Sequence, residues 1–260
     1  MNPYYDVDYD PIEDLFDSIR LGDTIRVIQL LDQGTSLECR QRQTGDTPLI
    51  SSVRERVIDI CWVLLDRGAN VNARNDGRVT ALIMSCLKGQ VEVAKMLIHH
   101  AADCSASVGG GLCALTFATI YRNREIVELL LKAGAEPDTL PVGPAVSGGG
   151  SLDGGGMSGT QQEISYRPLR FAVSNRDKVI AELLLQYKAD VNAREYSGRT
   201  ILMFAVINGF HAMIPLLLHY GADPDLEDDA GIKALDFAPV ENHEIIAAMI
   251  REHAVKSKSV

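Results

Sequence analysis

Hydrophobic residues recur along most of this chain at a fixed period of 33 residues. Each period has a leucine in a short apolar segment, and a longer apolar run follows about fifteen residues further on. The six anchoring leucines are Leu49, Leu82, Leu115, Leu169, Leu202 and Leu235. Only the step from Leu115 to Leu169 differs, being one period plus 21 residues. A fixed period in this range indicates an array of small modules, each too thin to bury its own apolar face.

Each period predicts two helices joined by a turn. Thr47 and Thr200 precede an anchoring leucine and can cap a first short helix, and Pro48 suits its first turn. The second helix is the longer apolar run, for example residues 126–131. It ends at a small residue such as Gly134, which suits the left-handed turn that terminates a helix.

The pattern resembles the ankyrin repeat, most clearly in residues 45–49 (GDTPL) and 64–72 (LLDRGANVN). The resemblance covers residues 11–253. It implies an all-α fold in which each repeat has two antiparallel helices, linked to the next repeat by a β-hairpin-like finger. These helix-turn-helix repeats stack into a curved solenoid with an open concave groove.

We count seven repeats, the first with Phe16 at the leucine position. The family usually has a histidine just after the leucine, which ties neighbouring loops together. This chain has other residues there, namely Ile50, Ile83, Thr116, Arg170, Met203 and Asp236. We therefore expect that hydrogen-bond network to be absent and the array to be less rigid. The second repeat is also predicted to carry one extra residue between its helices, near Arg56.

The sequence predicts an acidic disordered tail at 1–10, the repeat domain at 11–253 and a C-terminal tail at 254–260. A Gly/Ser-rich insertion at 139–165 interrupts the array and is a flexible coil by composition. It is either a tolerated surface insertion or an arm that folds over the groove or contacts a partner. The tyrosines of the N-terminal tail leave a second interpretation open, in which the tail is a short docking motif for a basic partner.

The composition of the chain argues against several classes of function. The net charge of −10 disfavours nonspecific binding of nucleic acid. No run of 18 apolar residues predicts a membrane span. The five cysteines are odd in number and form no Cys-x-x-Cys pair, which indicates a reducing compartment, cytoplasmic or nuclear. Residues 40–78 carry seven arginines against five acids, whereas 223–229 carry five acids and no base. This uneven charge distribution either belongs to ordinary solvated surface or complements the charge of a partner.

No arrangement of residues predicts catalysis. The acidic run at 223–229 lacks the glycine spacing of a calcium loop, and the insertion lacks the lysine of a phosphate-binding loop. An open array also offers no enclosed pocket. We therefore predict a monomer that is not an enzyme and has no metal or cofactor.

The predicted function is that of an adaptor that binds another protein. The resemblance implies that finger tips and first helices form the binding surface, and tyrosine and arginine most often carry interface energy. The predicted partner-binding residues are Arg42, Arg54, Arg78, Tyr121, Tyr166 and Tyr196. The alternative is an inhibitory subunit that masks an enzyme or transcription factor electrostatically. The resemblance also leaves two interpretations of Asn72 and Asn192, local hydrogen bonding or hydroxylation.

Overall fold

The computed structural model describes residues 10–138 and 167–257. The predictions for the tail before Asp10 and for the insertion at 139–165 lie outside these residues. The chain forms two compact units. The first unit ends at Val108, and the second unit begins at Gly109. No helix in the described part of the chain has the length and apolarity needed to cross a membrane.

The first unit contains three helix pairs. In each pair a first helix is followed by a turn and a second helix, and α1 packs on α3 and α3 on α5. Its helices are α1 (Pro11–Leu21), α2 (Thr24–Asp32), α3 (Pro48–Arg54), α4 (Ile58–Asp66), α5 (Ala81–Lys88) and α6 (Val91–His99).

The second unit continues the same plan. Helix α7 packs on α9 and α9 on α11, so the repeats on either side of the insertion are direct neighbours. The first helix of the last pair is reduced to a 3-10 turn at Ala234–Phe237. The helices are α7 (Ala114–Ile120), α8 (Arg124–Lys132), α9 (Pro168–Ser174), α10 (Lys178–Gln186), α11 (Ile201–Ile207), α12 (Ile214–His219) and α13 (His243–Ser257).

The predicted helix starts are confirmed. Thr47 accepts a hydrogen bond from the backbone N–H of Ile50, and Thr200 accepts one from Met203, each at 3.4 Å. Pro48 lies in the first turn of α3, where its missing N–H costs no helical hydrogen bond.

Five of the six anchoring leucines lie in the core, namely Leu49, Leu82, Leu115, Leu169 and Leu202, whereas Leu235 is half-buried. In the first repeat the anchor is Leu15, and the assignment to Phe16 is wrong. Leu15 is fully buried, and the left-handed residue Gly22 follows it by seven positions. Arg56 follows Leu49 by the same interval. Both Leu15 and Phe16 are buried and apolar, which is why the sequence alone did not separate them.

The prediction of an extra residue near Arg56 is also wrong. A left-handed residue follows the anchor by seven positions in six repeats: Gly22, Arg56, Gly89, Arg122, Arg176 and Gly209. The additional residue lies in the first finger instead. There the backbone N–H of Gln41 donates to the carbonyl of Asp46, five positions later. In the next finger the equivalent bond runs from the N–H of Asn75 to the carbonyl of Val79, which is only four positions later.

Candidate partner-binding surface

Each finger is a short loop between the second helix of one repeat and the first helix of the next, and neighbouring fingers touch. In the first unit the N–H of Asp76 donates to the carbonyl of Thr44 at 3.3 Å. In the second unit the N–H of Asp229 donates to the carbonyl of Ser197 at 3.0 Å. The fingers of each unit therefore stand side by side, with their tips at the surface.

Arginines at the base of the fingers bind carbonyls of the next finger. Arg40 Nη1 donates to the carbonyl of Arg74 at 2.9 Å, and Arg74 Nη1 donates to that of Ser107 at 3.3 Å. Arg194 Nη1 donates to the carbonyl of Glu227 at 2.7 Å. These bonds connect loops that the missing histidines would otherwise connect.

Two asparagines add a second set of connections. Asn72 Oδ1 accepts from the N–H of Asp103 at 2.8 Å, and its Nδ2 donates to the carbonyl of Ala101 at 3.4 Å. Asn192 makes the equivalent pair of bonds with Asp223 and Gly221, at 2.8 and 2.9 Å. Loops of adjacent repeats are thus bonded through arginines and asparagines instead of the family histidine, and the lower rigidity stays a prediction.

Arg42 lies at the tip of the first finger, and its side chain is 74% exposed. Its guanidinium is within 2.9 Å of Asp10 Oδ2 and 3.2 Å of Glu13 Oε1. It lines an open cleft of about 240 Å³ whose lining also includes Ile12 and Phe16 of α1. A partner group could enter this cleft, with Arg42 held at its rim by the two acids.

Arg54 is tied into the first unit. Its Nε and Nη2 donate to the two carboxylate oxygens of Asp46, at 2.6 and 3.1 Å. The Asp46 side chain is fully buried and also accepts from Asn75 Nδ2 at 2.7 Å. Asn75 in turn accepts from the backbone N–H of Val79 at 2.8 Å. This arrangement gives Arg54 a structural role that joins helix α3 to two fingers.

Arg78 occupies a finger position that four other repeats fill with glycine. Its φ is 62°, and the glycines four positions before four other anchors are also left-handed: Gly45, Gly111, Gly198 and Gly231. A side chain in this conformation costs roughly 1–2 kcal/mol. The residue is exposed, and no carboxylate lies at ion-pair distance from its guanidinium within residues 10–138 and 167–257. Arg78 is therefore a positive charge at a finger tip, available to a ligand.

Of the three predicted tyrosines, Tyr121 alone has a side chain within the part of the chain that the structure describes. Tyr121 is 51% exposed, but it follows the last residue of α7, at the end of the helix away from the finger. Tyr166 lies outside the described residues. Tyr196 begins a 3-10 turn in a finger of the second unit, and its side chain is outside the description. The partner-binding assignments stay predictions for all six residues.

One contact that the sequence did not indicate centres on Arg170, at the position of the family histidine. Its Nε donates to Glu195 Oε2 at 3.0 Å, and its guanidinium carbon lies 3.1 Å from the centre of the Phe204 ring. Burial lowers the pKa of Arg170, although Glu195 opposes that effect. Arg170 thus links a first helix to the next finger and the next first helix, as a histidine there would be expected to link loops.

The acidic run at 223–229 is largely engaged inside its own finger. The backbone N–H groups of Ile232 and Ala230 donate to Asp228, and Arg199 lies nearby. The hydrogen bond from Ile232 lowers the pKa of Asp228, against the effect of burial. Asp225 Oδ1 lies 3.0 Å from Lys233 Nζ. Asp223 Oδ1 accepts from the N–H of Asp225 at 2.8 Å, so three of the five acids serve the fold.

Asp177 caps helix α10 and pairs with two arginines of the preceding repeat. Its buried carboxylate accepts from the N–H of Ile180 at 3.2 Å. Arg124 and Arg122 lie 3.2 and 3.5 Å from it. Burial alone would raise the pKa of Asp177, but the Ile180 hydrogen bond and Arg124 outweigh it, so the pKa lies below its ordinary value.

We expect this pairing to make the second unit sensitive to acid. Asp177 stabilises the fold fully above the ordinary carboxyl pKa of 3.8, and this contribution is lost as the pH falls through the lower folded pKa. Asp177→Asn should be less stable at pH 7 and lose less stability than the wild type between about pH 5 and pH 2. Urea unfolding across this range measures both. Glu128→Gln, at an exposed pair with Lys132, should keep the wild-type pH dependence; equal dependence in Asp177→Asn and the wild type would contradict the assignment.

The described residues hold no group of three or more His, Cys, Asp or Glu side chains placed for a metal ion. All five cysteines are free thiols. Burial raises the pKa of Cys39 and of Cys61 to about 11, so both stay protonated near neutral pH. Thiolate chemistry is therefore suppressed at these two side chains.

Comparison with known proteins decides the family. A sequence model for ankyrin repeats matches three times, at residues 15–108, 74–140 and 157–228. The chain belongs to the ankyrin-repeat family. Among solved structures, the ankyrin repeat domain of Bcl-3, a member of the IkappaB family, matches with a TM-score of 0.75 and 26% identity. That match covers 94% of this chain and 100% of the Bcl-3 domain.

Curated relatives match shorter parts of the chain. Protein L371 of Acanthamoeba polyphaga mimivirus is 29% identical over 169 residues, which is 65% of this chain and 20% of that protein. Inversin of Gallus gallus is 28% identical over 120 residues, 45% of this chain and 11% of inversin. The chain thus spans a fifth or less of these two relatives. Its all-α ankyrin architecture is confirmed, and ankyrin repeats are a noncatalytic fold for protein–protein interaction.

Proposed function

We propose that this chain is a noncatalytic adaptor that binds a partner protein through its finger tips, and that Arg78 contacts an acidic group of that partner. The observation that carries the proposal is the exposed Arg78 guanidinium on left-handed backbone where four other repeats have glycine. Retaining a side chain there costs stability, and strained positions of this kind cluster at functional sites. The free cysteines support action in a reducing compartment, cytoplasm or nucleus.

The neighbouring finger supplies further contacts for the same partner. Arg42 is at the tip of the preceding finger, beside the open cleft lined by α1. Arg54 contributes by holding Asp46 and Asn75 in place, and so positions both fingers. The surface used is therefore arginine-bearing at its tips and supported by buried polar groups below them.

The electrostatic-mask alternative has less support. It depends on the acidic run at 223–229, where Asp228 is buried with hydrogen-bond donors and Asp225 is paired with Lys233. Charge committed to the fold is less available to a basic partner.

The experiment is affinity capture from the native cell with the wild type, Arg78→Gly and Arg56→Gly. Glycine suits the left-handed backbone at both positions, so Arg78→Gly should keep its stability or gain up to about 1 kcal/mol. A specific partner should be recovered with the wild type and Arg56→Gly, and its recovery should fall by up to about fivefold with Arg78→Gly, the effect of one lost exposed charge pair. Equal recovery with all three proteins would contradict a role for Arg78.

A further inference from the structure

Four basic side chains gather where the first and second helices of two neighbouring repeats are joined in the second unit. We call this group, Arg122, Arg124, Arg176 and Lys178, the turn cluster. These turns lie at the opposite end of the helices from the fingers, because a finger leads into each first helix and a turn leaves it. With about seven residues per first helix, the two ends are roughly 10 Å apart. The turn cluster is therefore separate from the finger tips.

The repeat places these residues in register. Arg122 and Arg176 are the left-handed residues seven positions after Leu115 and Leu169. Arg124 and Lys178 are the first residues of α8 and α10. Because α7 packs on α9 and α8 on α10, the two turns are adjacent.

The cluster carries surplus positive charge. Its only buried acid is Asp177, which Arg122 and Arg124 share. Arg176 stacks on the Phe210 ring at 4.6 Å, which orients the guanidinium without neutralising it. Lys178 has no carboxylate at ion-pair distance in residues 10–138 and 167–257. The exposed Glu125 on α8 adds a second acid, so the four basic side chains exceed the two nearby acids by two charges.

The first unit lacks such a cluster at its equivalent turns. The left-handed positions there are Gly22, Arg56 and Gly89. Arg56 is the one cation among them, and its Nη2 donates to the carbonyl of Lys88 at 2.7 Å. Basic charge at the turns is thus concentrated on one pair of repeats, in a chain whose net charge is −10.

We propose that the turn cluster binds a short, extended acidic segment of a protein, with carboxylates spaced about three residues apart. Packed helices lie about 8–10 Å apart, so basic groups on adjacent repeats repeat at that distance. An extended polyproline II chain advances about 3.1 Å per residue and has three residues per turn, so every third side chain lies on the same face and meets the next repeat. A longer polyanion such as nucleic acid would extend from the cluster onto a chain of strongly negative net charge, which disfavours it.

The test uses the full chain and a fluorescein-labelled peptide, Glu-Ser-Ser-Glu-Ser-Ser-Glu, with binding followed by fluorescence polarisation. The key variant is Arg122→Gly with Arg176→Gly, because equivalent turns already have glycine in this conformation and Arg124 still neutralises Asp177. The matched control is Arg56→Gly, which removes an arginine from an equivalent turn outside the cluster. Arg78→Gly tests independence from the proposed finger surface.

The wild type should bind the peptide saturably, and more weakly as salt rises. The double glycine variant should lose about tenfold in affinity, as expected for two exposed charge contacts, while Arg56→Gly and Arg78→Gly stay near the wild type. Three results would each overturn the proposal: no saturable binding, equal binding of a glutamine version of the peptide, or an undiminished affinity in the double variant. Tighter binding of a single-stranded oligonucleotide than of the peptide would also overturn it. Equal partner capture by Arg78→Gly and the wild type, which would contradict the proposed function, leaves these outcomes unchanged, so the two proposals fail separately.

Discussion

Replacing Arg54 with methionine should destabilise the first unit by about 3 kcal/mol. The substitution removes both donors that neutralise Asp46, whose side chain is fully buried. Within the described residues, Asn75 Nδ2 would then be the one remaining side-chain donor to this carboxylate. A buried charge left without its partner is one of the few single changes with a cost of this size.

Urea unfolding followed by tryptophan fluorescence measures this effect directly. Trp62 is the chain's one tryptophan and lies in α4 of the first unit, so its emission reports that unit. Arg56→Gln is the matched control, because it removes an exposed arginine two residues away that has no buried acid to neutralise. Its effect should stay within about 0.5 kcal/mol.

A second variant shows whether the loss comes from the unpaired acid. Asp46→Asn combined with Arg54→Met removes the charge as well as its partner, and should recover part of the stability lost in Arg54→Met. If Arg54→Met unfolds at the same urea concentration as Arg56→Gln, Arg54 has no structural role. Its predicted place on the partner surface would then be the better explanation of the residue.

Replacing Gly198 with alanine should destabilise the second unit by about 3 kcal/mol, for two reasons. Gly198 has φ +69°, a conformation that costs a residue with a side chain roughly 1–2 kcal/mol. A methyl group there would also overlap the carboxylate of Asp229 and lie 2.9 Å from its backbone nitrogen, in the adjacent finger. Because that nitrogen is held by the carbonyl of Ser197, the fingers must separate to admit the methyl group.

The equivalent position in the last finger gives a matched control. Gly231 has φ +77°, but a methyl group there would meet no atom within 4 Å. Gly231→Ala should therefore pay only the backbone cost, about 1 kcal/mol. Hydrogen exchange of the α9 and α11 amides, with circular dichroism for global unfolding, compares the two variants. Equal losses would show that contact between neighbouring fingers does not constrain Gly198.

The period of the apolar positions was enough to predict the helix pairs, because each anchoring leucine marks a first helix that packs on its neighbours. It could not fix the register of the first repeat, where Leu15 and Phe16 are adjacent and both buried. It also misplaced the extra residue, which lies in the polar finger Gln41–Asp46. A finger has no apolar pattern to align, so an insertion there is hard to locate from hydrophobicity.

Among the predicted surface residues, too, the sequence predicts some features and not others. The exposure of Arg42 and Arg78 follows from their finger positions, which the repeat defines. The pairing of Arg54 depends on Asp46 and on Asn75, which lies one repeat further along. The residues next to Arg54 in the sequence do not predict a contact with the following repeat. The same is true of Arg170, which contacts Glu195 and Phe204 of the next repeat.

The central claim, that the finger tips are the partner surface, is tested most directly by site-specific photo-crosslinking in the native cell. A photoreactive amino acid would replace Arg42 or Arg78 at the finger tips, and Ile25 or Trp62 on exposed positions of second helices. We predict that positions 42 and 78 crosslink to one and the same protein and that positions 25 and 62 do not. Crosslinks to that protein from positions 25 and 62, with none from 42 and 78, would contradict the account.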